Sequence, residues 1–342
     1  MAVDDRRLLI LAAVVERFIE TGEPVGSKYV AELMNHAVSS ATIRNDMAAL
    51  EDEGLLDHMH TSSGRVPTHL GYRVYINRIM KKVPLSQRER AQIDALFNVR
   101  NADPDQVLED AAESLAQLTG MATVTATMLR STVTVRRVEI IPAGPRTVVI
   151  LLIASSGVIR SRVCRVDFNV TDAIVDFFIK FANSRLVGRS LDEITSSYIS
   201  SVSVSLGEYA RLFMPVFAAL YELVREIDSG QYVARGMTNL LDYAELDRTT
   251  NELLRFLEDR DGVVQLLEHG SHATDVYIGR ESAAAQLTES SVLLSRYRIG
   301  DNAAGVIAVV GPVRMDYARL LPKVEYFGRT LGSLLSETYT EE

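Results

Sequence analysis

The sequence predicts a multidomain α+β chain: a winged helix-turn-helix at the N-terminus, then a sheet-bearing body with an inserted unit. Three observations predict it. Residues 38–71 read as a short helix followed by a two-stranded hairpin. From Met121 the hydrophobic period changes to two, the period of a strand. Two strand-rich clusters are then separated by a helical stretch.

Leu8, Leu11, Val15 and Phe18 share one face of a first helix, which Thr21-Gly22-Glu23-Pro24 stops, because proline cannot continue a helix. Ser27 is placed to cap a second helix over about Lys28 to Met34, and Asn35-His36-Ala37 is the turn. Ser39 is placed to cap a third helix. Ile43, Met47 and Leu50 line its inner face and Gly54 ends it. Leu55-Leu56 starts a strand, Ser62-Ser63-Gly64 turns, and Arg65-Val66 starts the return. Two helices, a tight turn, a third helix and a hairpin outline a winged helix-turn-helix.

With Ile43, Met47 and Leu50 inward, Ala41, Asn45 and Ala48 lie opposite, with Arg44 and Thr42 on the flanks. Asn can pair with adenine and Arg with guanine in the major groove. Glu51-Asp52-Glu53 is repelled by phosphate, so the N-terminal half, Ser40 to Asn45, is the part expected to enter the groove. The expected DNA contacts are Lys28, Ser40, Thr42, Arg44, Asn45, Ser62, Ser63, Gly64, Arg65 and Arg73. Arg44 and Asn45 are assigned to base edges, and Arg65 and Arg73 to phosphate. Residues 1–82 hold ten Lys/Arg and eleven Asp/Glu, yet no acid falls between His58 and Lys82. That window reads as a local basic face.

Glu23-Pro24-Val25-Gly26-Ser27, Val38-Ser39-x-Ala41-Thr42-Ile43-Arg44-Asn45, Thr61-Ser62-x-Gly64-Arg65-Val66-Pro67-Thr68 and Gly71-Tyr72-Arg73-x-Tyr75 occur in that order. Together they resemble the heat-inducible transcription repressor HrcA family of bacteria. Position 40, often proline in that family, is serine here, and both suit a first helical turn. Ile278-Gly279-x-Glu281 and Gly311-Pro312-x-Arg314-Met315-x-Tyr317 also look like family blocks, so the resemblance spans nearly the whole chain.

The chain has 342 residues, 47% apolar and 24% charged, with a net charge of −9, the composition of a soluble protein of two or three domains. Eight of the nine net negative charges fall in residues 83–342, so the body is expected to point away from a duplex. No apolar run reaches about 18 residues and the N-terminus is charged, unlike a secretory signal. The single cysteine, Cys164, fits a reducing cytoplasm and reads as a buried small hydrophobe.

Gly71 to Lys82 reads as a helix leaving the wing, and Val83-Pro84 as a boundary. Gln87–Val99 and Gln106–Leu118 read as helices. Thr123–Leu129, Val133–Ile141, Thr147–Ala154 and Val158–Val166 read as strands, then a helix capped by Thr171 or Asp172. Tyr209–Ile227 is a long amphipathic helix, Gln231–Leu241 a strand and Asn251–Leu257 a helix. Asp275–Ile278, Val292–Ile299 and Gly305–Val310 are strands before a last helix, Met315–Leu335. One sheet interrupted by an insert is expected. The resemblance implies domains of 1–82 (winged helix), 83–189 with 261–342 (a discontinuous GAF-like domain) and 190–260 (an inserted dimerising domain).

No catalytic constellation, cofactor loop or metal motif stands out. His58, His60 and His69 lack accompanying cysteines or clustered carboxylates. Arg314 and Asp316 are expected to pair with each other. Three readings follow: a dimeric DNA-binding repressor whose body senses heat or a chaperone, a winged-helix regulator with a small effector in the GAF-like domain, and an enzyme with a DNA-binding appendage. The resemblance favours the first. It implies a homodimer in the cytoplasm that binds double-stranded DNA at an inverted repeat, CIRCE, upstream of heat-shock operons, is kept active by the GroE chaperonin, and has no membrane partner.

Overall fold

A computed structural model describes residues 3–58, 64–97, 103–129, 133–268, 272–282, 284–300 and 303–340. The head begins with α1 (Val3–Thr21), whose Ile10, Leu11, Val14 and Val15 are fully buried. The chain then runs extended, and Val25 exchanges two backbone hydrogen bonds of 2.9 Å with Arg65. Helix α2 (Ser27–Leu33) then starts one residue earlier than expected. Gly26 is the N-cap, without a side-chain hydrogen bond, and Ser27 is already helical and buried. Asn35 and His36 turn the chain with φ of 51° and 55°, a conformation that asparagine tolerates better than most residues.

Ser39 caps α3 (Ser40–Asp52), accepting a bond from Thr42 N–H. Gly54, at φ 72°, closes it and lets Leu55 N–H reach back to Leu50 O at 2.8 Å. Strands β1 (Leu56–Asp57) and β2 (Val66–Pro67) pair antiparallel as the wing. The expected helix over 71–82 is shorter and starts earlier. It is α4 (His69–Val74), capped by Thr68, followed by a π-turn over Tyr75–Ile79.

The body opens with α5 (Gln87–Leu96), held by a Ser86/Glu89 capping box, and α6 (Pro104–Thr119), capped by Asp103 and closed by left-handed Gly120. Strand β3 (Ala122–Leu129) follows. Next come β4 (Val135–Gly144), β5 (Thr147–Ala154), β6 (Ile159–Arg165), α7 (Asp172–Leu186, capped by Thr171), α8 (Ser196–Val204) and α9 (Ala210–Asp228). Then β7 (Tyr232–Arg235), α10 (Thr250–Glu258), α11 (Arg260–Glu268), β8 (Thr274–Ile278), β9 (Ser290–Ile299), β10 (Ala303–Pro312) and α12 (Tyr317–Thr340) complete the chain. The strand expected over 231–241 stops at Arg235 and continues as a 3-10 turn over Met237–Asp242.

The single interrupted sheet expected from the strand pattern forms only in part: β3 joins β8, β9 and β10 across the insert, but β4, β5 and β6 do not belong to it. Among the described residues the body holds two sheets: five strands in the order β7-β3-β10-β9-β8, and a separate β4-β5-β6 sheet. The latter has its own core, from Val133 to Ile227, where Phe178 stacks on Phe213 at 4.7 Å and meets Phe217 at 5.2 Å. The insert is therefore residues 133–227 rather than 190–260. Residues 133–189 leave the expected 83–189 segment, and β7 with α10 joins the main sheet. The physical reason is the pairing of β3 with β7, Ala126 opposite Tyr232. Thr127 N–H donates to Gln231 O and Gln231 N–H to Thr127 Oγ1, both at 2.9 Å, so the insert leaves and returns at one point.

One face of the five-stranded sheet packs on α6 and α12, and the other on Leu240, Leu246, Leu253, Phe256 and Leu257. The first of these cores runs without a break into the head. Among the described residues no helix is long and apolar enough to cross a membrane.

Candidate nucleic-acid interface

Helix α3 is fixed from three directions. Its apolar stripe, Ile43, Met47 and Leu50, is buried in the head core. Its N-terminus is tied by Ser39, whose hydroxyl also lies 2.9 Å from Thr42 Oγ1. The third tie was missed in the sequence: Asp46 is buried beside the stripe and receives Arg6 Nε at 2.7 Å and Arg6 Nη2 at 3.1 Å. Arg7 adds an ion pair to Asp46 at 3.7 Å and a bond to Glu53 at 3.0 Å. An acid one position before Met47, on the buried side, with two arginines opening the first helix, was the available signal.

With α3 held this way, Ala41, Arg44, Asn45 and Ala48 are exposed along the opposite face, and Ser40 and Thr42 are half-buried at its start. Lys28 is exposed on α2. Among the described residues, Arg44, Asn45 and Lys28 enter no ion pair or side-chain hydrogen bond. Thr42 is engaged in the cap, so its hydroxyl is shared with Ser39.

The wing residues divide. Ser62 and Ser63 lie outside the described residues. Gly64 is buried, and a Cβ there would sit 2.7 Å from Pro24 Cβ, so it serves the packing of wing on head. Arg65 is mostly buried at the wing base, with Nε on Glu51 Oε2 at 2.8 Å and Nη1 3.1 Å from His58 Nδ1. It neutralises one of the acids at the C-terminal end of α3.

Arg73 is drawn away from the expected phosphate-binding set. Its Nε donates to Glu281 Oε1 at 2.9 Å, its Nη2 to Glu281 Oε2 and to Val276 O at 2.5 Å. Lys82 pairs with Glu325. The window without acids is thus neutralised in part by acids from the body, and only its local sequence looks uniformly basic. Arg314 likewise does not pair with Asp316. It pairs with Glu245 and reaches Ile19 O of the head at 3.4 Å, while Asp316 pairs with Arg319.

Burial pushes the Glu281 carboxyl up, but bonds from Arg73 and from Ile278 N–H, with the charges of Arg73 and His69, bring it below the usual carboxylate range. Burial, then Glu222, pushes the Cys164 thiol up, which keeps it unreactive. Among the described residues no group of three or more His, Cys, Asp or Glu side chains is gathered to hold a metal ion.

Residues 105–321 match the family described as HrcA protein C terminal domain. The chain is 30% identical to the heat-inducible transcription repressor HrcA of Clostridium botulinum (strain Alaska E43 / Type E3), over 98% of this chain and 99% of that one. It is 31% identical to the protein of the same name from Clostridium perfringens (strain SM101 / Type A), over 93% and 95%. Among solved structures it is similar to that of a hypothetical protein at 2.2 Å resolution, with a TM-score of 0.68, 26% identity, and coverage of 98% and 99%.

Proposed function

The chain belongs to the HrcA family of heat-inducible transcription repressors, and on that premise we propose that a dimer of it represses heat-shock operons by binding an inverted-repeat operator. The observation that carries this reading is the exposed Arg44/Asn45 face of a helix whose other sides are capped, buried and ion-paired. Arg44 and Asn45 read base edges from the major groove. Lys28, Ser40, Thr42 and the wing tip at Ser62 and Ser63 position the head on phosphate. Heat releases the operator, and the GroE chaperonin restores the binding-competent form.

Dimerisation through the insert is supported by its sheet. One face packs on α7 and α9. The other presents Ile141, Val149 and Val163 in one row and Ile153 beside Ile159 in another, with Val163 68% exposed. Between the rows Leu151 stands between Glu139 and Ser161; exposed apolar side chains with a few polar ones among them suit a protein contact surface, and a two-fold dimer demands an inverted repeat.

A regulator controlled by a small effector in the main sheet domain is the alternative. The sheet face opposite α6 and α12 is filled by leucine and phenylalanine side chains, which weighs against it. A ligand-dependent rise in melting temperature would favour it.

The test is competition gel shift on the inverted repeat upstream of the host's chaperonin genes. Arg44→Ala or Asn45→Ala should each lose about 1–3 kcal/mol of preference over unrelated DNA. Operator preference left intact in both variants would overturn the assignment.

A further inference from the structure

The sequence blocks at 71–75, 278–281 and 311–317 lie far apart in the chain, yet they meet at the seam between head and body. Arg73 grips Glu281 with two guanidinium nitrogens and Val276 O with one of them. Tyr72 and Tyr317 are fully buried with ring centroids 6.0 Å apart. Tyr317 is pinned by Ser291 at 2.8 Å and by Val313 O at 2.5 Å. Gly71 brings α4 against the wing so closely that a Cβ would sit 2.1 Å from Leu55 O. The clasp therefore begins one turn from the wing and ends in the body. On another side of the seam, head and body line a cleft of about 570 Å³, between Leu9, Leu33 and Ile79 of the head and Val83 and Arg319. Beyond the clasp, Arg314 reaches Ile19 O of the head and Lys82 pairs with Glu325; the clasp adds a bidentate ion pair to this seam.

We propose that Arg73 and Glu281, with Tyr72 and Tyr317, are positioning residues that set the half-site spacing of the operator by holding each head at one angle on the body. This rests on the dimeric DNA-binding reading above. In a dimer the separation of two α3 helices follows from the body interface and from the angle of each head. A bidentate arginine–carboxylate pair fixes direction as well as distance. Loosening it leaves each head able to read its own half-site while the pair no longer rejects wrong spacings.

The experiment pairs a DNA readout with one that needs no DNA. The first uses operators whose spacer is lengthened or shortened in steps to about half a helical turn, together with a single half-site. The wild type should prefer one spacing by roughly tenfold or more. Arg73→Ala and Glu281→Ala should flatten that profile with half-site affinity unchanged within about twofold, and Arg73→Lys should restore part of it. Unchanged half-site affinity also shows that the variants fold. The second readout is the distance distribution between spin labels at Ala48 and Arg329, both exposed, in a Cys164→Ser background. Both alanine variants should broaden it.

Distances that stay as narrow as in the wild type overturn the clasp. A spacing profile that stays sharp overturns its role in specificity. If Arg73 instead contacts phosphate, Arg73→Ala weakens half-site binding with a shallower salt slope, and Glu281→Ala, by freeing Arg73, strengthens it; either result also overturns the proposal. A wild type that ignores the operator while the distances broaden refutes the DNA-binding reading and the spacing claim with it, and leaves the mechanical clasp standing.

Discussion

Asp46 sits on the buried side of α3 and is held by Arg6 from the first turn of α1, Nε to Oδ2 at 2.7 Å. The pair links the N-terminal turn of α1 to the middle of α3. Asp46→Ala removes a charge-assisted bond and strands part of a guanidinium, so a loss of about 1–3 kcal/mol is expected. Arg6→Ala leaves the mostly buried carboxylate with only the longer contact to Arg7, so its cost should be of the same order. Thermal melts would measure both. Melting temperatures within a degree of the wild type would show that the pair holds nothing.

Gly71 and Gly26 separate two kinds of glycine in this head. At Gly71 a Cβ would lie 2.1 Å from Leu55 O, whereas at Gly26 it would meet nothing within 4 Å. Gly71→Ala should force α4 off the wing and rank with the severe overpacking substitutions, about 3 kcal/mol or more. Gly26→Ala should stay within about 1 kcal/mol. Equal melting temperatures for the two variants would contradict this.

Glu281 carries a pH dependence whose sign follows from its lowered pKa. The carboxylate is favoured in the folded state relative to the unfolded chain. Its stabilising contribution is therefore complete above the ordinary carboxylate pKa and is lost as pH falls through the lower folded value. The melting-temperature gap between wild type and Glu281→Gln should be constant near neutrality and shrink below about pH 4.3. Glu89 behaves alike: bonds from the Ser86 backbone and hydroxyl and from Lys323 lower it to about 2. A gap that widens on acidification would reverse the assignment at Glu281.

Local features of this fold were legible because they are written within one helical turn or one strand. Ser39 marks one end of α3 by its own side chain, and Gly54 marks the other by its left-handed backbone. The exposure of Arg44 and Asn45 follows from the period that buries Ile43, Met47 and Leu50. Sheet membership was not legible. An alternating strand carries no label for its partner, and β3 pairs with β7 and β10 across the insert. The roles of Arg65, Arg73 and Lys82 were obscured for the same reason. Glu281 lies 208 residues beyond Arg73, and Glu325 lies 243 beyond Lys82. A charge count within one window cannot see such partners.

The outer face of the insert gives the last prediction. In β5, Val148, Ile150 and Leu152 point into the insert core, while Val149, Leu151 and Ile153 point the other way and are only half-buried. Both faces of that strand are apolar, which suits a strand covered on both sides. Its neighbours continue the outer face with Ile141 on one side and Ile159 and Val163 on the other, each about half exposed or more. Water against this face costs on the order of 25 cal/mol per Å² of apolar area, so a second copy of the chain gains by covering it. Val163→Asp places a charge on that face, on the edge strand β6, without touching the core beneath, because Val163 is among the most exposed apolar residues of the described chain. The variant should fold with a melting transition like that of the wild type at low concentration, sediment as a monomer and keep its half-site affinity. It should lose about 100-fold on the whole operator, since the second head no longer binds intramolecularly. Val163→Leu, which keeps the face apolar, should do neither. A Val163→Asp protein that remains dimeric and binds the whole operator as tightly as before would place the dimer contact elsewhere.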